Sequence, residues 1–205
     1  MTVSTYAELK VAIPEWTKRD DSQSLLDTFI DMAEVAIADQ LRVREMEYRT
    51  TLSTSTSNRF VTLPTSYIKM RQLMITLDGQ LYDMEMVPLK DMWIADSAGV
   101  PSVFTVTTQI ELNCTSDQVY TLEIDYYRML TALSDSNTTN DILTYYPMVY
   151  LSACLHFAFQ HAWLEDKAEY WKQQFNTHVS AANRRSRNGR FGPAPAMRVA
   201  KGMIV

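Results

Sequence analysis

Hydrophobic positions near the amino terminus repeat with a helical period. Leu26, Phe29, Ile30, Ala33, Ile37 and Leu41 recur at three-and-four spacing, the pattern of one buried helix face. Ser24 is the expected cap, with Asp27 three residues later in the reciprocal position of a capping box. At about 1.5 Å per residue this helix runs roughly 30 Å. A shorter helix is expected over 5–13, where Leu9 and Ile13 share a face. Pro14 limits it, because the residue before a proline is pushed out of the helical region.

The period changes at Glu45. Strands are expected over 45–52 and 58–63 around the turn Ser53 to Ser57, and over 67–77. Asp78-Gly79 is a two-residue hairpin signal, so 81–87 reads as the returning strand. Pro88 to Ser97 predicts a short helix with proline at its start, closed by Gly99 and Pro101. Strands over 103–107, 110–114 and 119–129 complete the β region. In the last of these Tyr120, Leu122, Ile124 and Tyr126 alternate with Thr121, Glu123 and Asp125.

After a polar loop, Ser134 to Asn140, Pro147 fits a first helical turn. Leu151, Cys154, Leu155, Ala158 and Ala162 then form one stripe. Glu165-Asp166 marks a bend or restart, and Ala168, Trp171, Phe175, His178 and Ala182 form a second. Beyond Asn183 the glycines and prolines predict about 20 extended residues. The expected class is α+β: N-terminal helices, a central mostly antiparallel β region, a C-terminal helical hairpin and an extended C-terminal arm. The expected division is a body over 1–183, helical over 1–44 and 141–183 around β region 45–130, followed by a basic arm over 184–205.

Charge sharpens that division. The 205 residues carry 19 Lys and Arg against 24 Asp and Glu, a net −5. Residues 184–205 hold Arg184, Arg185, Arg187, Arg190, Arg198 and Lys201 and no acid, which leaves −11 on the rest. The usual reading of such a tail is a solvated terminus, with protein or nucleic-acid contact as alternatives. An acidic body repels phosphate and disfavours a dedicated nucleic-acid binder. MTVSTYAELK has neither a basic nor an apolar leader region, and Met148 to Phe159 is about half of the roughly 20 apolar residues a membrane span needs. A soluble chain made in the cytoplasm is expected.

Catalytic, cofactor and metal chemistry are not indicated. The sequence has no G-x-G-x-x-G, P-loop, G-x-S-x-G or H-E-x-x-H motif. His156 and His161, five apart, diverge by about 140° around a helix. Cys114 and Cys154 read as small buried hydrophobes. The carboxylate pairs Glu45 with Glu47 and Asp83 with Glu85 are coincidences expected among 24 acids. Tyr126, Tyr127, Tyr145, Tyr146 and Tyr150 crowd the strand-to-helix junction, where core packing and an interface are equally good readings. Met70, Met74, Met84 and Met86 read as core filling more than as a binding surface.

The run ALSDSNTTNDILTYYPMVYLSACLHFAFQHAWLEDKAEYWKQQFNTHV, residues 132–179, resembles the closing helical hairpin of bacteriophage head–tail adaptor (connector) proteins of short-tailed and related tailed phages. The matching positions are Tyr126, Leu133, Asn140, Leu143, Pro147, Tyr150, Leu151, Leu164, Asp166, Trp171 and Phe175. FVTLPTSYIKMRQLMI, residues 60–75, is similar to the family's Leu-Pro-x-(Asp)-(Tyr/Phe) segment, with Ser66 where an acid is commoner. TYAELKVAIPEWTKRDD, residues 5–21, suits its opening helix.

The resemblance implies a structural virion protein with no enzymatic activity and no cofactor. It implies a ring of twelve copies under the portal protein ring that joins capsid to tail and prolongs the DNA channel. The partners implied are the portal, a tail nozzle or tail-tube protein, and other copies of this chain; DNA passes without specific binding and no membrane is involved. Members extend a carboxyl-terminal arm along the portal. Here that arm's candidate contacts are Arg187, Arg190, Phe191, Pro193, Pro195, Met197, Arg198 and Val199. The alternative is a head-completion or tail-tube component that does not touch the portal.

Overall fold

In the computed structural model the structure describes residues 3–191. The chain divides into two compact units, one formed by residues up to 45 together with those from 131 onward, the other by 46–130.

The first unit is helical: α1 (Tyr6–Thr17), α2 (Gln23–Gln40), α3 (Asp141–Tyr145), α4 (Pro147–His161) and α5 (Glu165–Phe191). Thr5 and Glu8 close α1 with a reciprocal capping box. α1 does not stop at Pro14 but runs one turn past it to Thr17. Pro14 gives up the bond to the Lys10 carbonyl and crowds it, but leaves the amides of the following turn free to donate. The left-handed cap Lys18 donates back to the Pro14 carbonyl at 2.8 Å and restores the turn.

The cap of α2 is Ser22, not Ser24: its side chain accepts the Leu25 amide. Asp27, expected in a capping box, instead receives the Tyr6 hydroxyl at 2.7 Å and Lys10 Nζ at 2.8 Å. The Lys10 contact holds its carboxyl below the usual range. The expected stripe of α2 is the buried one, Leu26 through Ile37 with Leu41. Pro147 opens α4 at its first turn, and α4 ends at His161. The hairpin to α5 turns through Trp163, whose φ is 56°. His156 Nδ1 lies 2.9 Å from the Ala168 carbonyl across that hairpin.

The second unit holds two four-stranded sheets. β1 (Glu47–Ser53), β8 (Thr121–Arg128), β3 (Tyr67–Leu77) and β4 (Gln80–Asp83) form one, in the order β1-β8-β3-β4 and antiparallel throughout. β2 (Phe60–Val61), β7 (Ile110–Leu112), β6 (Val103–Val106) and β5 (Glu85–Met86) form the other, with β5 parallel to β6. The two sheets share one core in which Leu73, Ile75, Phe104, Ile110, Leu112, Leu122 and Ile124 are buried. Tyr120, Leu122, Ile124 and Tyr126 all point into it, as their alternation predicts.

Asp78 and Gly79 both have positive φ, 50° and 77°, and join Leu77 to Gln80 in a two-residue hairpin of the type that suits strand twist. β3 carries two register shifts against β8, and the Met70 amide beside them is satisfied by the Tyr67 hydroxyl at 2.7 Å.

The fold departs from three expectations. The strand over 81–87 is two strands in different sheets, because the chain crosses at Met84, whose side chain enters the shared core. The helix over 88–97 is reduced to a single 3₁₀ turn, Leu89–Asp91, because the chain beyond it hydrogen-bonds just past β7, Ala95 amide to Asn113 carbonyl. The extended arm does not begin at 184: α5 continues to Phe191. Among the described residues no helix is long and apolar enough to cross a membrane.

Candidate functional site

Leu133, Asn140 and Tyr150 of the carboxyl-terminal motif converge on one half-buried carboxylate. Glu34, half-buried on α2, accepts the Leu133 amide at 2.8 Å and the Tyr150 hydroxyl at 3.1 Å. Asn140 donates to that hydroxyl at 2.7 Å while its own oxygen caps α3 at the Leu143 amide, 2.9 Å. Leu133, Leu143, Tyr150 and Leu151 are all buried. One polar node therefore pins the loop 131–140 to α2 and α4.

Burial raises the Glu34 carboxyl above its ordinary range, against the two donors that favour its charge. It likewise raises Tyr150, assisted by Glu34, and Cys154. The Asn-x-x-Leu pattern is thus a helix cap, and the tyrosine is a strut. Trp171 meets Trp16 edge-on at 5.4 Å, and Phe175 is buried.

The first turn of α4 separates two clefts. One, of about 360 Å³, is lined by Val3, Ala12, Trp16, Met148 and Leu151 among others. The second, of about 250 Å³, is bordered by Tyr145, Met148, His178 and Arg185. Pro147 and Met148 line both. Tyr145 is exposed, whereas Tyr146 reaches the Glu45 carboxylate at 3.3 Å. The tyrosine cluster is therefore not one surface: Tyr126, Tyr127 and Tyr150 are core, and Tyr145 faces solvent.

Of the candidate arm residues, Arg187 lies exposed on α5, and the backbone of Arg190 and Phe191 is helical up to the last described residue. Pro193, Pro195, Met197, Arg198 and Val199 lie outside the described residues. The end of α5 is held by side chains that sequence reasoning passed over. Asn183 accepts the Arg42 amide at 2.7 Å and donates to the Gln40 carbonyl at 3.1 Å. Buried Ser186 accepts the Arg44 amide at 2.9 Å. The signal was present: Phe175, Val179, Ala182 and Ser186 keep the helical stripe, with a hydroxyl at its last position. Arg184, Arg185 and Arg187 are left exposed on this helix end.

The paired acids do not meet as a catalytic couple. Glu47 accepts from Arg71, Glu45 from Arg44, and Asp83 from Gln72, while Glu85 belongs to β5 in the other sheet. Both cysteines are buried thiols, and burial raises the Cys114 thiol. Among the described residues no group of three or more His, Cys, Asp or Glu side chains is placed to hold a metal ion. The features on display are surfaces and struts.

No curated protein matches the chain. A family model described as SU10 adaptor protein matches residues 4–198. That span covers both units, and the chain belongs to the SU10 adaptor protein family, a family of phage head–tail structural adaptors.

Proposed function

We propose that this protein is the head–tail adaptor of its virion: twelve copies form a ring under the portal, join capsid to tail and continue the DNA channel. The family match over residues 4–198 is the observation that carries this reading. Charge supports it. A net −11 over residues 1–183 lets DNA pass a channel wall without sticking, because like charge keeps the phosphates from settling. The basic residues of 184–205 supply the opposite sign. Arg187, Arg190 and Arg198, with Phe191, Met197 and Val199, are the segment that contacts an acidic portal surface. A tail nozzle or tail-tube protein takes the other side of the ring.

The test is the mass of the portal ring from the same phage after mixing with this chain. Twelve copies of 23.6 kDa add about 283 kDa. A gain of that size supports the reading. An unchanged portal mass beside folded protein overturns it in favour of a tail component. Deleting residues 188–205 is expected to abolish the gain, and undiminished binding would remove the arm from the account.

A further inference from the structure

Sheet β1-β8-β3-β4 has two edge strands, and neither β1 (EYRTTLS) nor β4 (QLYD) carries the lysine or proline that commonly blocks an edge. We propose that β4 of one copy pairs antiparallel with β1 of the next, so that the sheet runs on from subunit to subunit around the assembly. This rests on the ring reading above and names the contact that would close the ring.

Strand direction comes first. With four strands, each antiparallel to its neighbour, β1 and β4 run in opposite directions. Two copies facing the same way around a cyclic axis therefore bring β4 to β1 antiparallel. No dyad is needed, which is the requirement of a head-to-tail ring.

Backbone phase agrees. The Met84 amide donates to the Leu73 carbonyl at 3.0 Å, so even-numbered residues of β4 address β3. The amides and carbonyls of Leu81 and Asp83 then point outward. On the other edge the Thr54 amide donates to the Tyr120 carbonyl at 2.9 Å, so even residues of β1 address β8. Arg49, Thr51 and Ser53 point outward.

Side-chain faces agree as well. Leu81 and Asp83 stand opposite Thr76 and Met74, while Arg49 and Thr51 stand opposite Asp125 and Glu123, all on the face away from the core. Outward-pointing groups on both edges thus belong to residues of one face, as antiparallel pairing demands.

Charge selects the register. Placing Leu81 opposite Thr51 sets Asp83 opposite Arg49. A slip of two residues one way sets Asp83 against Glu47, and the other way against Thr51. Arg49 already chelates Asp125 at 2.6 and 2.8 Å and lies 3.5 Å from the Glu123 carboxylate, yet its side chain remains 59% exposed, and a guanidinium has five donors to share. The exposed rings of Tyr82 on β4 and Tyr48 on β1 then lie near each other on the opposite face.

Thr50 and Tyr82 become a non-hydrogen-bonded pair across the joint, with Cα atoms about 4.5 Å apart, within the span of about 4.4–6.8 Å that a disulfide bridges. The full-length Thr50→Cys, Tyr82→Cys double variant is bound to the portal ring and oxidised with copper phenanthroline. Covalent multimers of this chain up to the full ring, absent from both single variants and reversed by thiol, are expected. A portal complex of full added mass with only monomers after oxidation overturns the edge pairing and leaves the ring standing. Loss of the added mass already in the unmodified chain overturns the ring reading itself.

Leu81→Pro is the second variant. It deletes an outward amide without touching the β3 ladder, and is expected to leave the monomer's circular dichroism intact while reducing ring assembly at least tenfold. Undiminished assembly by the folded variant contradicts the proposal.

Discussion

The two units treat their long connecting stretches differently. In the helical unit, residues 131–140 are polar in sequence and are fastened by side chains: Glu34 on the Leu133 amide, Asn137 on the Ala132 carbonyl, Asn140 under α3 and on Tyr150. In the β unit, the connection 84–102, which includes β5, is rich in apolar residues and is fastened largely by backbone bonds, such as Glu85 amide to Ser102 carbonyl and Val87 amide to Phe104 carbonyl. Their side chains face solvent: Met86, Leu89, Trp93, Ile94 and Val100 are each about half exposed. The first loop satisfies itself within its own unit. The second keeps apolar area on the outside, the feature that marks contact surfaces in proteins that assemble.

The largest effect is expected at the β core. Phe104 is fully enclosed, and Phe104→Ala should cost about 3–5 kcal/mol, read as a lower urea midpoint for the β unit. Next is the polar node. Glu34→Ala leaves the Leu133 amide and the Tyr150 hydroxyl without their acceptor, for about 1–3 kcal/mol.

Glu34→Gln keeps an acceptor oxygen and should be close to neutral at pH 7, and its pH dependence is diagnostic. The folded chain raises the Glu34 carboxyl, so this group binds its proton more tightly folded than unfolded. Its contribution is complete below the unfolded value of 4.5 and is lost as pH rises through the higher folded value. The Gln variant should lack that slope in chemical denaturation between mildly acidic and neutral pH.

Smaller still is Ser186→Ala, which strips the Arg44 amide of its partner and should cost about 1 kcal/mol, with faster amide exchange at Arg44. The smallest stability effect falls on the exposed stretch. Trp93→Ala should shift the free chain by no more than about 0.5 kcal/mol while weakening assembly. If it unfolds the monomer, the contrast between the two units collapses.

Periodicity made much of this architecture legible. The stripe of α2, the alternation in β8 and the Asp78-Gly79 turn each follow a local rule whose physical cause acts within a few residues. What stayed hidden depends on partners distant in sequence. Met84 turns the returning strand into a crossover because a second sheet waits for Met86, and nothing local to 81–87 says so. Pro14 stops a helix in isolation but not in a last turn closed by Lys18. Ser186 looks like the end of a stripe until Arg44, 142 residues away, is placed against it.

The surfaces divide likewise. The motif residues 133–150 were readable as a family pattern, and the structure explains them as struts for Glu34. The half-exposed aromatics and aliphatics of 84–102 carry no motif, because an interface is defined by what it leaves uncovered.

The most direct measurement is an end-on reconstruction by electron cryomicroscopy of this chain bound to the portal ring of the same phage. A second ring of twelve copies under the portal is expected, with the β units of neighbours joined along a sheet edge. Density for this chain only at the tail, or bound at the portal as isolated copies without contact to each other, would contradict it.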